Sequence, residues 1–205
     1  MLGLFSFTFL VGQVVTGRGE YNEERRKRGE SELAYLDYLR SSHFGEATAE
    51  NWESEFFQMC LFVLATAYLY QKGSAESKDP SPKVRNRRKA TVTPRSPWPV
   101  HRGGWVLRLY EHSLSLALFL LFALSFAWHA SAGRTLYNEE RLADGELPVT
   151  ILGYLGSTRF WFESLQNWQS EFLSIGAMVI LTIWLREKNS PESKEVATPH
   201  WENED

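Results

Sequence analysis

The chain has 205 residues, 43% of them hydrophobic, 23% charged and 14% aromatic, with a formal net charge of −3. These averages exclude an intrinsically disordered chain, and a single cysteine excludes a disulfide scaffold. They do not exclude a membrane protein, because charged loops dilute apolar segments, and eight tryptophans in so short a chain favour one.

The first element, Met1–Gly17, is apolar apart from Gln13 and a few hydroxyls, and predicts a membrane span over about 1–17. It lacks the basic start of a secretory signal. A polar segment, 18–51, follows; it opens with YNEER at Tyr21–Arg25 and contains an amphipathic stretch, Leu33–Phe44, of the kind that lies in a membrane interface. Phe56–Tyr70 carries no charge, and extension back to Trp52 predicts a second span over about 52–71. Segment 79–104 holds five of the eight prolines and the run RNRRK at Arg85–Lys89, so it reads as a flexible basic linker.

The next run, SLSLALFLLFALSFAWHAS at Ser113–Ser131, has no formal charge over 19 residues. At 1.5 Å per residue it is roughly 28 Å of helix, close to the hydrocarbon thickness of a bilayer. It predicts a span over about 112–132. A second polar segment, 133–167, again carries YNEER (Tyr137–Arg141) and an amphipathic stretch, Val149–Phe162. Phe172–Leu185 with Trp168 predicts the fourth span, about 168–186, and 195–205 reads as a disordered acidic tail.

The two halves match at a constant offset of 116 residues without a gap. Gly17-Arg18 recurs as Gly133-Arg134, and YNEER recurs with its following Gly-Glu (Gly29-Glu30, Gly145-Glu146). Tyr38-Leu39, Ser41 and Phe44 recur as Tyr154-Leu155, Ser157 and Phe160; Asn51-Trp52 and Ser54-Glu55-Phe56 recur as Asn167-Trp168 and Ser170-Glu171-Phe172. The expected fold is therefore an all-α integral membrane protein with four transmembrane helices, arranged as two parallel helix–loop–helix repeats, 1–78 and 105–194. The connector Lys72–Arg108 carries ten basic residues against two acidic ones, whereas both polar segments are acidic. By the positive-inside rule the connector and both termini are cytoplasmic and the acidic loops are outside.

Functional candidates come in pairs. Arg18 and Arg134 are expected at helix exits, where a cation complements the dipole, and Asn51 and Asn167 as N-caps of the returning helices, with Glu55 and Glu171 in their first turns. A carboxylate at the edge of the hydrocarbon is costly unless it is paired or faces a wet cavity. Arg25 and Arg141, Tyr21 and Tyr137, and Glu24 and Glu140 complete a candidate outward-facing polar vestibule.

Signatures of serine hydrolases, zinc proteases, P-loops and dinucleotide folds are absent, and the five histidines (43, 101, 112, 129, 200) have no matching copies. No catalytic residue, cofactor or metal is expected. The expected partners are the lipid bilayer and either a second copy or another membrane protein, with no nucleic acid. The leading class is a non-enzymatic membrane component acting through its outer loops; the alternative is a small transporter or channel.

The combination of HSLSLALFLLFALSF, YNEER followed by Gly-Glu, the YLGS…QNWQSEF stretch and SPESK resembles an uncharacterised family of bacterial multi-pass membrane proteins, carried as a domain of unknown function. The resemblance implies a bacterial cytoplasmic (inner) membrane location and a multi-pass architecture, and it supplies no activity.

Overall fold

The computed structural model describes residues 2–76 and 92–202. Among these the protein is all-helical: α1 (Leu2–Lys27), α2 (Tyr35–Tyr38), α3 (Ser42–Tyr68), α4 (Trp98–Arg102), α5 (Gly104–Glu111), α6 (Ser113–Ala143), α7 (Ile151–Leu155) and α8 (Thr158–Leu181). One of them, α6, is long and apolar enough to cross a membrane, with a mean hydropathy of 1.8 over its most apolar window. The uncharged apolar runs of α1, α3 and α8 are shorter than that of α6. The first half of the expected linker, 79–91, lies outside the described residues; its second half carries α4.

The helices run further into the polar segments than the charges suggest. YNEER is helical in both halves: α1 continues to Lys27 and α6 to Ala143. Arg18 and Arg134 are therefore mid-helix residues, not helix exits.

The true stop is the following Gly-Glu. Gly29 (φ +78°) and Gly145 (φ +77°) take the left-handed conformation that a β-carbon disfavours. The amide of Glu30 then donates to the carbonyl of Arg25 (2.8 Å), and that of Glu146 to Arg141 (2.7 Å), closing each helix with a Schellman-type turn. Arg25 and Arg141 close the same turns from the side chain, donating from Nε to the Ser31 and Leu147 carbonyls (both 2.8 Å) and pairing with Glu30 (2.6 Å) and Glu146 (2.7 Å).

The returning helices begin earlier than expected. The Ser41 hydroxyl accepts from the Phe44 amide (3.2 Å) and that of Ser157 from the Phe160 amide (3.3 Å), so these serines are the N-caps. Asn51 and Asn167 lie well inside α3 and α8, and so do Glu55 and Glu171. Each expected amphipathic stretch is divided between a one-turn helix, α2 or α7, and the start of the next long one.

The chain forms two compact units, each drawing on both halves of the sequence. The first comprises Met1–Ser54 with Phe122–Asn167, the second Glu55–Leu121 with Trp168–Asp205. In the first, Asn22 and Asn138 each clamp the descending loop by a pair of bonds. Asn22 accepts from the Leu33 amide (2.8 Å) and donates to its carbonyl (3.1 Å); Asn138 treats Val149 alike (2.8 and 3.0 Å). The loops thus pinned deliver Tyr38 and Tyr154, both fully buried, onto Gly17 and Gly133, where any β-carbon would strike the tyrosine hydroxyl. Two aromatic cores result, Tyr21–Tyr38–Phe44–Leu136 and Ala130–Tyr154–Phe160.

The second unit packs Phe57 against Trp168 and Phe172 (ring centroids 4.6 and 5.7 Å), and Gln58 donates to the Glu171 carbonyl (3.3 Å). Its C-terminal segment, through Glu202, is a succession of turns gathered around Lys194. Lys194 is buried, and its ammonium donates to the carbonyls of Pro199, His200 and Glu202 at 3.3, 2.8 and 3.0 Å. A cation satisfied this way fixes the chain around itself.

Candidate functional site

Glu46, Glu50 and Glu53 succeed one another on α3 at intervals of four and three residues, which puts three carboxylates on one helical face over about two turns. Arg159, Glu163 and Asn167 recur every four residues on α8 and form a second polar stripe. His129 of α6 and Tyr154 of α7 complete the cluster, which belongs wholly to the first unit.

The deepest contact joins His129 Nδ1 to Glu53 Oε2 at 2.6 Å, with both side chains essentially inaccessible. The imidazole stacks on Phe160, centroids 4.9 Å apart. Its Nε2 is 3.7 Å from Glu163 Oε2, beyond hydrogen-bond reach, and is buried with no hydrogen-bond partner among the described residues. Glu163 is held by Arg159, whose Nε donates to it at 2.8 Å and whose guanidinium also pairs with Glu140. The Asn167 amide donates to Glu50 (2.5 Å) and to the Glu163 carbonyl (3.3 Å).

Tyr154 connects the cluster to Glu46. Its hydroxyl lies 3.2 Å from Glu163 and 3.4 Å from Glu46, yet it owns one proton and can donate to one of them at a time. A proton on Glu46 resolves the conflict, because the acid then donates to the phenol oxygen while the phenol donates to Glu163. The electrostatics agree: burial, followed by the neighbouring Glu163 charge, pushes the Glu46 carboxyl up to about 7. Burial likewise raises Glu50. Glu163 is buried too, but the His129 ring and the Arg159 guanidinium outweigh that and hold it below the usual carboxylate range. Burial and the carboxylates of Glu163 and Glu46 raise the Tyr154 phenol well above its ordinary value.

A second feature of the same unit is an open groove of about 610 Å³ lined by Tyr21, Arg25, Arg28, Glu30, Asp37, Arg40 and Glu139, among others. Glu139 accepts from Tyr21 (3.3 Å) and from Ser42 (3.0 Å), and Glu30 is shared by Arg25 and Arg28 (2.6 and 3.3 Å).

The structure scatters the candidate vestibule. Tyr21 and Arg25 line the groove, and Arg18 donates to the Leu33 carbonyl (2.7 Å) beneath the Tyr35 ring. Glu140, Tyr137 and Asn167 border the buried cluster through Arg159 and Glu50. Arg141 is committed to its helix-closing turn, and Arg134 Nε is buried with no hydrogen-bond partner among the described residues. Glu24 and Asn51 are exposed, and Glu55 and Glu171 belong to the other unit.

Glu46, Glu50, Glu53, His129, Arg159 and Glu163 were not among the candidates. The signal was the Glu-x3-Glu-x2-Glu spacing, unreadable as one helical face as long as the helix was started at Asn51. Among the described residues no group of three or more His, Cys, Asp or Glu side chains is arranged to hold a metal ion.

Over residues 1–205 the chain belongs to the family described as a domain of unknown function, DUF6766. Neither the curated proteins nor the solved structures contain a significant match to it.

Proposed function

We propose that this member of the family is a bacterial inner-membrane protein with four spans, the two sequence repeats lying parallel and both termini in the cytoplasm. It acts as a non-enzymatic membrane component through the polar helix ends outside. The observation that carries this reading is α6, whose apolar residues are largely uncovered: Leu114, Phe119, Leu120 and Leu124 are between 57% and 60% exposed. Exposed Leu4, Phe5, Phe7 and Phe9 of α1, and Leu173, Ile180 and Leu181 of α8, support lipid contact by three helices. The charge balance of the connector supports the orientation.

The test is thiol labelling of intact cells with an impermeant reagent. Ser31→Cys and Asp144→Cys are expected to label from outside, and Lys89→Cys only after lysis. The opposite pattern overturns the orientation, and labelling of all three in intact cells overturns the spans.

Passage of a small solute is the second reading, favoured by the groove of about 610 Å³. Solute flux in proteoliposomes above that of empty vesicles supports it, and none rejects it.

A further inference from the structure

We propose that His129 and Glu53 form a proton-binding site, loaded from solvent through Glu163, across which a single proton is passed by the imidazole ring. An acidic cluster alone would not establish such a site. Here a wholly buried histidine has one nitrogen engaged by Glu53 at 2.6 Å and the other unpartnered, directed at Glu163 from 3.7 Å. A buried polar nitrogen with nothing to bond is costly, and a half-ångström approach of Glu163 removes that cost.

The surroundings give the path a direction. Glu53 is 1% exposed at its side chain and Glu163 20%, so solvent reaches the Glu163 end first. The charged and titratable groups facing the pair are Glu46, Glu50 and Glu53 from α3, Tyr154 from α7, and Arg159 with Glu163 from α8. The carboxylates outnumber Arg159, so an added proton lowers a net negative charge.

The step conserves every atom except the moving proton. In the unloaded state, reached at alkaline pH, the ring is neutral, Nδ1 donates its hydrogen to the Glu53 carboxylate, and Nε2 holds a lone pair. A proton that the Glu163 carboxylate takes up from solvent passes on to Nε2, and Glu163 returns to the carboxylate that Arg159 favours. Nδ1 releases its proton to Glu53, which becomes a carboxylic acid, and the ring is neutral again in its other tautomer. Reversal restores the start: Glu53 returns its proton to Nδ1 and Nε2 returns its own to Glu163. The site does not depend on the membrane reading, since every group belongs to one compact unit.

The experiment is nitrogen NMR of the full-length protein in detergent micelles with ¹⁵N-labelled histidine. The His129 signals are identified by their loss in His129→Gln. In the wild type both ring nitrogens are expected to change protonation between about pH 5 and pH 9. Deuterium exchange at the ring is expected to slow about tenfold or more in Glu163→Gln and to stay unchanged in Glu24→Gln. Ring nitrogens that keep one protonation state across that range overturn the proposal, as does unchanged exchange in Glu163→Gln. Where circular dichroism shows that Glu163→Gln has lost its helices, the wild-type titration alone decides. Because micelles involve neither topology nor flux, failure of the proposed function leaves this result intact, and the converse holds.

Discussion

The pocket around Tyr38 and the pocket around Tyr154 are built on the same frame and do different chemistry. Each tyrosine is seated on a glycine, each loop is clamped by an asparagine and each returning helix is capped by a serine. The ring of Tyr38 meets His43, whose Nδ1 lies 3.2 Å from the phenol and whose ring stacks on Tyr21. Burial pushes His43 below the ordinary histidine range, so that pocket is neutral in character. At the corresponding place beside Tyr154 stands Arg159, with Glu46, Glu163 and Glu140 around it. His129, likewise, corresponds by position to Gln13, which makes a single bond to Thr48 at 3.3 Å. The residues that shape the frame repeat, and those that carry charge do not. Function is therefore to be sought where the halves differ.

That contrast can be broken most forcefully at His129. His129→Leu removes the imidazole that is hydrogen-bonded to the buried Glu53 carboxylate and is expected to cost about 3–5 kcal/mol. Gln13→Leu loses one part-buried hydrogen bond and is expected to cost about 1 kcal/mol. Thermal unfolding in detergent measures both.

Glu46 comes next, through pH. Its folded pKa of about 7 exceeds the ordinary 4.5, so the folded state binds more protons than the unfolded state between those values, and stability falls as pH rises through that window. Above pH 7 the full penalty, about 3 kcal/mol, is present, and below 4.5 it vanishes. Glu46→Gln is expected to abolish this slope and to raise stability at pH 8 by about 1–3 kcal/mol, the lost pairing with Arg159 offsetting part of the gain. Denaturant titration across the pH range reads it.

The shared frame should respond alike in both halves. Gly17→Ala and Gly133→Ala each place a methyl against a tyrosine hydroxyl and should cost about 1–3 kcal/mol. The second is expected to be the larger because Glu46 also crowds that position. Asn22→Ala and Asn138→Ala each lose a pair of loop bonds, about 1–2 kcal/mol apiece. Unequal losses in the asparagine pair would show that the frames are less alike than their contacts.

The helical class and the recurring motifs were legible, because apolar runs and exact recurrences survive any choice of boundary. The boundaries themselves were not. Charge in YNEER read as loop, although Gly29 and Gly145, each followed by Glu, mark the helix ends better than polarity does. Ser41 and Ser157, not Asn51 and Asn167, cap the returning helices, because the chain turns helical well before the apolar run begins. With α3 started too late, Glu46 and Glu50 fell in a loop and Glu53 in a helix, so their common face was hidden. The lack of matching histidine copies argues against a duplicated metal site, and the same lack is what distinguishes His129.

The central claim, that the Tyr154 pocket stores a proton and the Tyr38 pocket does not, is tested most directly by infrared titration of the carboxyl groups in the purified protein. Protonated carboxyl absorption is expected to persist from acid until about pH 7, to disappear above it, and to be weakened in Glu46→Gln, with Glu76, also raised to about 7 by burial and the neighbouring Glu192, supplying part of what remains. Carboxyls that are all ionised by about pH 5 would contradict the claim, as would a band near pH 6 that is as intense in Glu46→Gln as in the wild type.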